Sequence, residues 1–172
     1  MSVSAEFLRS QIDYTAWASA LLLNAATALT NEDLARDFQT ADRSVVGTLA
    51  HIFAADRIWL ARLSGVPAPD FTNGADGSLA ALQSSWPIVL EGWKCWAATL
   101  TDDEAAAQFA YVDTKGRPWE QPLWQIVQHV INHGTHHRGQ VSGFLRSMGH
   151  TPPVTDLHHY YRQRASSARL TS

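Results

Sequence analysis

The stretch HVINHGTHHRGQV, residues 129–141, carries four histidines within nine positions. The helical pattern that contains it begins at Pro122, because proline is favoured at the first position of a helix. It ends at Met148, before Gly149, because glycine favours helix ends. The histidines are therefore predicted to lie in the middle of a long helix, spread around its axis by about 100° per residue.

Three further long helices precede this one. Ser44 and Ser78 are predicted to cap the second and third, since a serine hydroxyl accepts a hydrogen bond from a backbone N–H of the first turn. Pro87 is expected to kink the third helix or to mark its restart. Thr30 is predicted to cap a short turn at NEDLA. The apolar periodicity places the three helices at about 5–29, 45–65 and 78–100.

Four long helices joined by short segments predict an all-α four-helix bundle, and the length of the chain suits one domain. Residues 66–78 are rich in Pro, Gly, Asn and Asp, which predicts a loop. A DTKGR turn between aromatic residues predicts a small extended or hairpin segment before the last long helix. The tail is expected to form at most one short helix near Asp156. We thus predict a single domain over residues 1–165 and a disordered C-terminal tail over 166–172.

Composition narrows the class of protein. The 172 residues are 45% hydrophobic and 17% charged, with a net charge of −3, which is typical of a folded domain. The absence of a concentrated basic surface argues against nucleic acid as a partner. No apolar run reaches the roughly 18 residues of a membrane span, and the N-terminus lacks a signal peptide's apolar core. A cytoplasmic protein is expected. Cys95 is expected to be buried, since it lies between Trp93 and Trp96.

The four histidines are not equivalent. With His133 set to zero, the apolar stripe of the helix lies at roughly 60° to 120°, and His137 lies near 40°, at its edge. His129 and His136 lie near −40° and −60°, farther from the core. His133 and His137 are therefore the pair that is predicted to point inward.

Their i, i+4 spacing allows two imidazoles to reach one metal ion. Zinc proteases use the same spacing in H-E-x-x-H, but Gly134 stands here in place of the catalytic glutamate, which excludes that reaction. Gly134 and Gly139 predict close approach of another helix or room for a ligand. The pair taken alone is also explained by hydrogen-bonded histidines at the edge of the core.

Neighbouring polar residues have alternative interpretations. His129 and His136 are candidates for groups that support a metal site, although surface histidines are as common. Gln140, near −20° on the same scale, is better placed to border a metal. Arg138 fits a structural salt bridge or stem packing better than contact with a substrate anion. His51, on the second long helix, lies on a flank by periodicity, and its role stays open on this ground.

Three segments together resemble a known family: TLAHIFAADRIWLARLSG (48–65), HVINHGTHHRGQV and SMGHTPPVTDL (147–157). They are similar, in this order, to the DinB-like family of metal-dependent enzymes with the YfiT-like fold, which is distinct from the DNA polymerase sharing the name. The resemblance implies an up-down-down-up four-helix bundle, often a homodimer. It also implies a divalent ion held by three histidines, which correspond to His51, His133 and His137.

The resemblance further implies a chemistry. Three neutral imidazoles leave coordination positions open, as catalytic metal sites do, and they suit nickel and zinc alike. Relatives include transferases and isomerases that use a low-molecular-weight thiol such as mycothiol, bacillithiol or glutathione. We therefore expect a thiol S-transferase acting on a small electrophile. The alternatives are a non-catalytic metal-binding stress-response protein and a metal-dependent hydrolase. No catalytic residue is assigned, and the substrate is expected to meet the loop at 66–77 and the segment near 109–121.

Overall fold

The computed structural model describes residues 3–70 and 77–170, and in this part of the chain it is an all-α bundle with one hairpin. Four long helices alternate with short elements. In chain order these are α1 (Ala5–Ala25), a 3-10 turn (Ala26–Ala28), α2 (Asn31–Ala35), α3 (Val45–Leu63), α4 (Leu79–Ala98), α5 (Asp102–Ala106), β1 (Gln108–Val112), β2 (Pro118–Pro122), α6 (Leu123–Ser147) and α7 (Leu157–Leu170).

Side-chain caps fix where the predicted helices begin. The hydroxyl of Ser44 accepts a hydrogen bond from the N–H of Gly47, and that of Ser78 accepts one from Ala81. Thr30 caps the short helix α2 in the same way. All three caps confirm the sequence prediction, because each satisfies an N–H that has no partner within its helix. Pro87 lies inside α4 without ending it.

The four long helices form a bundle in which α1 and α3 each pack against both α4 and α6. Trp86 of α4 contacts Asp56 of α3, and farther along both helices Gly92 of α4 lies against the side chain of Leu60. Helices α3 and α4 are therefore parallel.

His51, early in α3, faces His133 and His137, whereas Trp59, later in α3, faces the earlier residue His129. Helices α3 and α6 are therefore antiparallel. The start of α1 lies beside the end of α4, where the Arg9 guanidinium donates to the carbonyl oxygen of Leu100 at 2.8 Å, so α1 and α4 are antiparallel. The bundle therefore has the up-down-down-up arrangement that was expected.

The core consists of two large apolar clusters, one toward each end of the four-helix bundle, and a small third cluster where Tyr160 of α7 packs against Tyr14 and Ala18 of α1. Trp86 and Leu49 are entirely buried at one end, and Leu8 and Val127 at the other. Side chains of all four long helices contribute to both large clusters, which is why no helix can be removed without exposing the others. The site described below lies beside this core, on the contact between α3 and α6.

The predicted hairpin is confirmed. β1 and β2 pair antiparallel, with Tyr111 opposite Trp119. The turn that joins them is closed by Asp113, whose carboxylate accepts hydrogen bonds from the backbone N–H groups of Lys115 and Arg117. Leu123 N–H bonds the carbonyl oxygen of Ala107 at 2.9 Å, so both ends of the hairpin are attached to the start of α6.

Three features differ from expectation. Cys95 is exposed, and the prediction of a buried thiol is wrong: the buried face of α4 passes through Trp93 and Ala97, and Cys95 points away from it. The short helix α5, which a Thr101 capping box starts, was not predicted. The tail forms a helix of 14 residues, longer than expected. This helix extends to Leu170, and the disorder predicted for 166–172 stays a prediction.

Part of the predicted loop at 66–78 lies outside the described residues, namely 71–76, as do residues 171 and 172 of the tail. Among the residues that the structure describes, no helix is both long enough and apolar enough to span a membrane.

Candidate metal centre

The antiparallel contact of α3 and α6 brings three histidines together. His51 of α3 faces His133 and His137 of α6, with ring centroids 4.9 and 4.4 Å from its own. His133 and His137 lie 4.5 Å apart, as neighbours one helical turn apart on a single face. The structure thus confirms the inward pair and places His51 beside it.

The ring nitrogens have the spacing that one ion requires. The Nε2 atoms of His51 and His133 are 2.9 Å apart, and one nitrogen from each of the three rings lies within 4.8 Å of the others. Two imidazoles bound to one ion at about 2.0–2.1 Å would have nitrogens about 2.9–3.4 Å apart, depending on the bond angle. Within the described residues, His51, His133 and His137 could therefore hold a metal ion.

Asp42 is a neighbour of this cluster that the sequence patterns did not reveal. Its Oδ1 lies 3.2 Å from Nδ1 of His51, and its Oδ2 lies 3.5 Å from Nδ1 of His137. The three side chains are largely covered, with exposed fractions of 15% for Asp42, 21% for His51 and 12% for His137. One carboxylate therefore faces imidazoles from both helices.

The loop before α3 holds Asp42 in this position. Its carbonyl oxygen accepts a hydrogen bond from Ser44 N–H at 2.7 Å, and Phe38 N–H bonds the carbonyl oxygen of Arg43 at 2.7 Å. A Cβ on Gly47 would clash with the carbonyl oxygen of Asp42, so the loop can lie against the helix start only because residue 47 is glycine. No residue spacing announces such a contact, because it depends on the path of a loop.

Gln140 supports the cluster from within α6. Its Oε1 lies 2.7 Å from Nδ1 of His137. An amide oxygen can only accept a hydrogen bond, so this contact favours the His137 tautomer that has the proton on Nδ1 and the lone pair on Nε2. This is the arrangement in which a histidine binds a metal through one nitrogen and donates from the other. The expectation that Gln140 borders the site agrees with this geometry.

Burial keeps two rings of the cluster, His51 and His133, neutral. Desolvation lowers the pKa of His133 to about 3, and the neighbouring His137 and His51 act in the same direction. Desolvation also lowers the pKa of His51, against the opposing effect of the Asp42 carboxylate. Near pH 7 these two rings therefore carry no charge, and a neutral imidazole is the form that binds a metal.

The other two histidines of the stretch lie outside this group. The ring of His129 is 5.9 Å from that of His133 and presents an edge contact, also at 5.9 Å, to Trp59. The exposed His136 lies 4.9 Å from His137, ring to ring. Both are adjacent to a candidate ligand, and neither offers a nitrogen to the three-histidine group.

Arg138 is a structural residue. Its side chain is 2% exposed, and its guanidinium donates to Ser19 Oγ at 3.3 Å and to Thr135 Oγ1 at 3.0 Å, with the Tyr14 ring 5.5 Å away. This burial between α6 and α1 favours the structural interpretation of Arg138 over contact with a substrate anion. A Cβ on Gly134 would lie 2.7 Å from this guanidinium, so that glycine makes room for an arginine of its own helix rather than for another helix.

A cavity of about 630 Å³ lies where α3 meets the hairpin. The Arg62 guanidinium lies over the rings of Trp59 and Tyr111, at 4.7 and 5.6 Å from their centroids. Trp59 in turn contacts His129, whose ring lies 5.9 Å from that of His133, so a row of aromatic rings runs from Arg62 at the cavity toward the histidine cluster. The lining comes from both segments that were expected to meet a substrate, and includes Ile58, Arg62, Ala68, Pro69, Phe109 and Tyr111.

The sequence as a whole has a known family pattern. A profile of the DinB family matches residues 1–167. The chain belongs to the DinB family. Protein DinB of Bacillus subtilis (strain 168) is 22% identical over 157 residues, which cover 88% of this chain and 91% of that protein.

The bundle is shared with a solved DinB-like structure. The crystal structure of a DinB-like protein from Bacillus cereus ATCC 10987 matches with a TM-score of 0.60 and 21% identity, covering 90% of this chain and 99% of that one. At this identity the likeness shows the fold. Membership in the DinB family confirms the resemblance on which His51 was matched to a metal ligand.

Proposed function

We propose that this DinB-family chain is a metal-dependent transferase that joins a low-molecular-weight thiol to a small electrophile. The ion, nickel or zinc, would be held by His51, His133 and His137. The observation that carries the proposal is the convergence of three imidazoles, at least two of them held neutral by burial, on one point between two helices. A closed structural site would use four protein ligands, whereas three leave room for a reactant.

The reaction follows from this donor set. The ion would supply a Lewis acid that lowers the pKa of a coordinated thiol or water. The sulfur then forms a bond to the electrophilic carbon, the leaving group departs with its electron pair, and the thiol proton passes to solvent. The chain's own part is to orient the rings: Gln140 fixes the tautomer of His137, and the partial burial of the cluster limits the access of water.

The cavity beside the hairpin is where we place the reactants. Its lining combines the aromatic rings of Phe109 and Tyr111 with charged groups of both signs, and suits a small polar organic molecule. Arg62 offers a guanidinium to a negatively charged group of that molecule, and Asp70 and Asp113 offer carboxylates to a positively charged one. Of the candidate thiols, glutathione and bacillithiol carry carboxylates. We also expect the protein to be cytoplasmic and to form a homodimer. Sedimentation of the purified protein would test the oligomeric state.

Metal content is the first test. Untagged protein should contain about one transition-metal ion per chain by elemental analysis, and His137→Ala should contain almost none. His158→Ala removes an exposed histidine of α7 and is the matched control, which should retain the ion. Equal metal content in the parent and in His137→Ala would contradict the three-histidine site.

Activity is the second test. The loaded protein is mixed with glutathione, bacillithiol or mycothiol and with chlorodinitrobenzene as the electrophile, and the product is followed by absorbance. We expect turnover that requires both ion and thiol and that is lost in His137→Ala. Cleavage of an ester or amide without thiol would instead favour the metal-dependent hydrolase. A loaded protein with neither activity would favour a non-catalytic metal-binding protein.

A further inference from the structure

We propose that Asp42 is the positioning residue of the metal centre, a single carboxylate that sets the tautomer of His51 and the relative orientation of His51 and His137, which lie on two different helices. The inference rests on the proposed three-histidine site and deepens it.

The geometry gives each carboxylate oxygen its own imidazole. Oδ1 faces Nδ1 of His51 at 3.2 Å, and Oδ2 faces Nδ1 of His137 at 3.5 Å. A carboxylate only accepts hydrogen bonds, so its approach favours a proton on Nδ1 of His51 and leaves the lone pair on Nε2. At His137 the carboxylate acts on an Nδ1 that Gln140 already contacts at 2.7 Å. The Nε2 atom of His51 faces the interior of the cluster, where it is 2.9 Å from Nε2 of His133.

The carboxylate also connects the two helices at the site. His51 and His137 lie on α3 and α6, and Asp42 contacts both without belonging to either. Gln140 supports His137 alone and belongs to the same helix. Removing Asp42 therefore affects both the tautomer of His51 and the angle between the rings, whereas removing Gln140 affects one ring only.

The backbone contacts of the loop lower the entropic cost of placing the Asp42 carboxylate at the site. The carbonyl oxygen of Asp42 is fixed by Ser44 N–H and lies against Gly47, so the carboxylate does not have to be ordered when the ion arrives. Groups that hold a ligand histidine in this way typically change metal affinity by about 10–100-fold when they are removed.

The first readout needs no metal. Long-range nitrogen–proton NMR of the apo-protein reports which nitrogen of each assigned histidine ring carries the proton. We expect the Nδ1–H form for His51 in the parent and a mixture, or the Nε2–H form, in Asp42→Ala. Asp42→Asn, which keeps one accepting oxygen and adds an N–H₂ that opposes one ring, should fall between them.

The second readout is metal affinity and coordination geometry. Titration with zinc in competition with a chelator should give a dissociation constant about 10–100-fold weaker in Asp42→Ala than in the parent. The visible absorption of the cobalt(II)-loaded protein should change in band position or intensity, since the ring angles change. Gln140→Ala should weaken binding while leaving the tautomer of His51 as in the parent.

Asp37→Asn is the matched control. Asp37 lies in the same loop and forms an ion pair with Arg43, but it contacts neither imidazole. We expect this variant to keep the parent's tautomers and to bind zinc within about twofold of the parent. If Asp37→Asn and Asp42→Ala weaken binding equally, the loop rather than the carboxylate is responsible, and the inference fails.

Failures of the two proposals are distinguishable. A parent that loads no ion contradicts the metal centre, while the NMR experiment still decides what Asp42 does to the rings. A parent that loads an ion, together with Asp42 variants of unchanged tautomer, affinity and cobalt spectrum, overturns the inference alone. Circular dichroism establishes whether each variant is folded. If Asp42→Ala is unfolded, the measurements on Asp42→Asn decide the question.

Discussion

The indole Nε1–H of Trp86 donates a hydrogen bond to Oδ2 of Asp56 at 2.9 Å, in the interior of the bundle. Asp56 is 2% exposed and Trp86 is entirely buried. The backbone carbonyl of Asp56 accepts a second indole bond, from Trp93 at 3.0 Å. One residue of α3 thus anchors two tryptophans of α4, and its carboxyl group is placed where a negative charge is costly.

This burial predicts a specific pH dependence of stability. Desolvation raises the pKa of Asp56 to about 6, against the opposing effects of Trp86 and Arg138. In the unfolded chain the same group titrates near 3.9. The folded state therefore binds more protons between these values, and Asp56 makes the free energy of unfolding fall as the pH rises from about 4 to about 6, by up to about 3 kcal/mol.

Asp56→Asn tests this. An amide oxygen can still accept the Trp86 N–H, but the side chain has no proton to lose. The difference in free energy of unfolding, variant minus parent, should become more positive between pH 4 and pH 6.5 and then remain constant. Urea denaturation at several pH values measures it. A difference that does not change with pH would show that Asp56 titrates normally.

The helices were predictable because their signals are local. The hydroxyls of Ser44, Ser78 and Thr30 satisfy N–H groups three residues away, and each cap can be identified from its own neighbourhood in the sequence. The inward pair His133 and His137 was predictable for the same reason, since one helix fixes the angle between its own residues.

The rest of the site depends on contacts between distant segments. Helical periodicity left His51 on the flank of α3, and only the family resemblance assigned it, because the groove between two helices is not a property of either one. Asp42 had no signal at all: its role comes from a loop whose path depends on Gly47. Cys95 was misplaced because its neighbours Trp93 and Trp96 suggested burial, although adjacent positions on a helix face different directions.

Gly47→Ala should disturb both the fold and the site. Its Cβ would collide with the backbone of Asp42, so the loop has to move, at a cost of about 1–3 kcal/mol in free energy of unfolding. The zinc dissociation constant should rise as Asp42 is displaced.

Gly139→Ala is the control: that glycine has open space around its Cα and lies within α6, so alanine should stabilise the fold by about 0.5–1 kcal/mol. Denaturation measures the free energy of unfolding of both variants, and metal titration measures their zinc dissociation constants. Equal changes in Gly47→Ala and Gly139→Ala would refute the steric argument.

Arg138 should matter for stability and not for the substrate. Arg138→Met keeps an apolar stem but removes the donors to Ser19 and Thr135, and it leaves the charge of Asp56 without its compensating cation. We expect the free energy of unfolding to fall by about 1–3 kcal/mol. The zinc dissociation constant and the Michaelis constant for the thiol should stay within about twofold. A large rise in the Michaelis constant at unchanged stability would instead return Arg138 to the substrate site.

Metal binding should stabilise the folded chain only when all three histidines are present. An ion that binds the native state alone adds about 2.7 kcal/mol at a free concentration 100 times its dissociation constant, which for a chain of this size corresponds to a rise in melting temperature of about 5–10 °C. His51→Ala should lose this rise, because a two-histidine site from a single helix binds far more weakly. His158→Ala, which alters an exposed histidine on α7, should keep it in full. Thermal denaturation with and without zinc or nickel measures the shift for each protein. A full shift in His51→Ala would mean that the ion is held by α6 alone, and that the contact between α3 and α6 is not what creates the site.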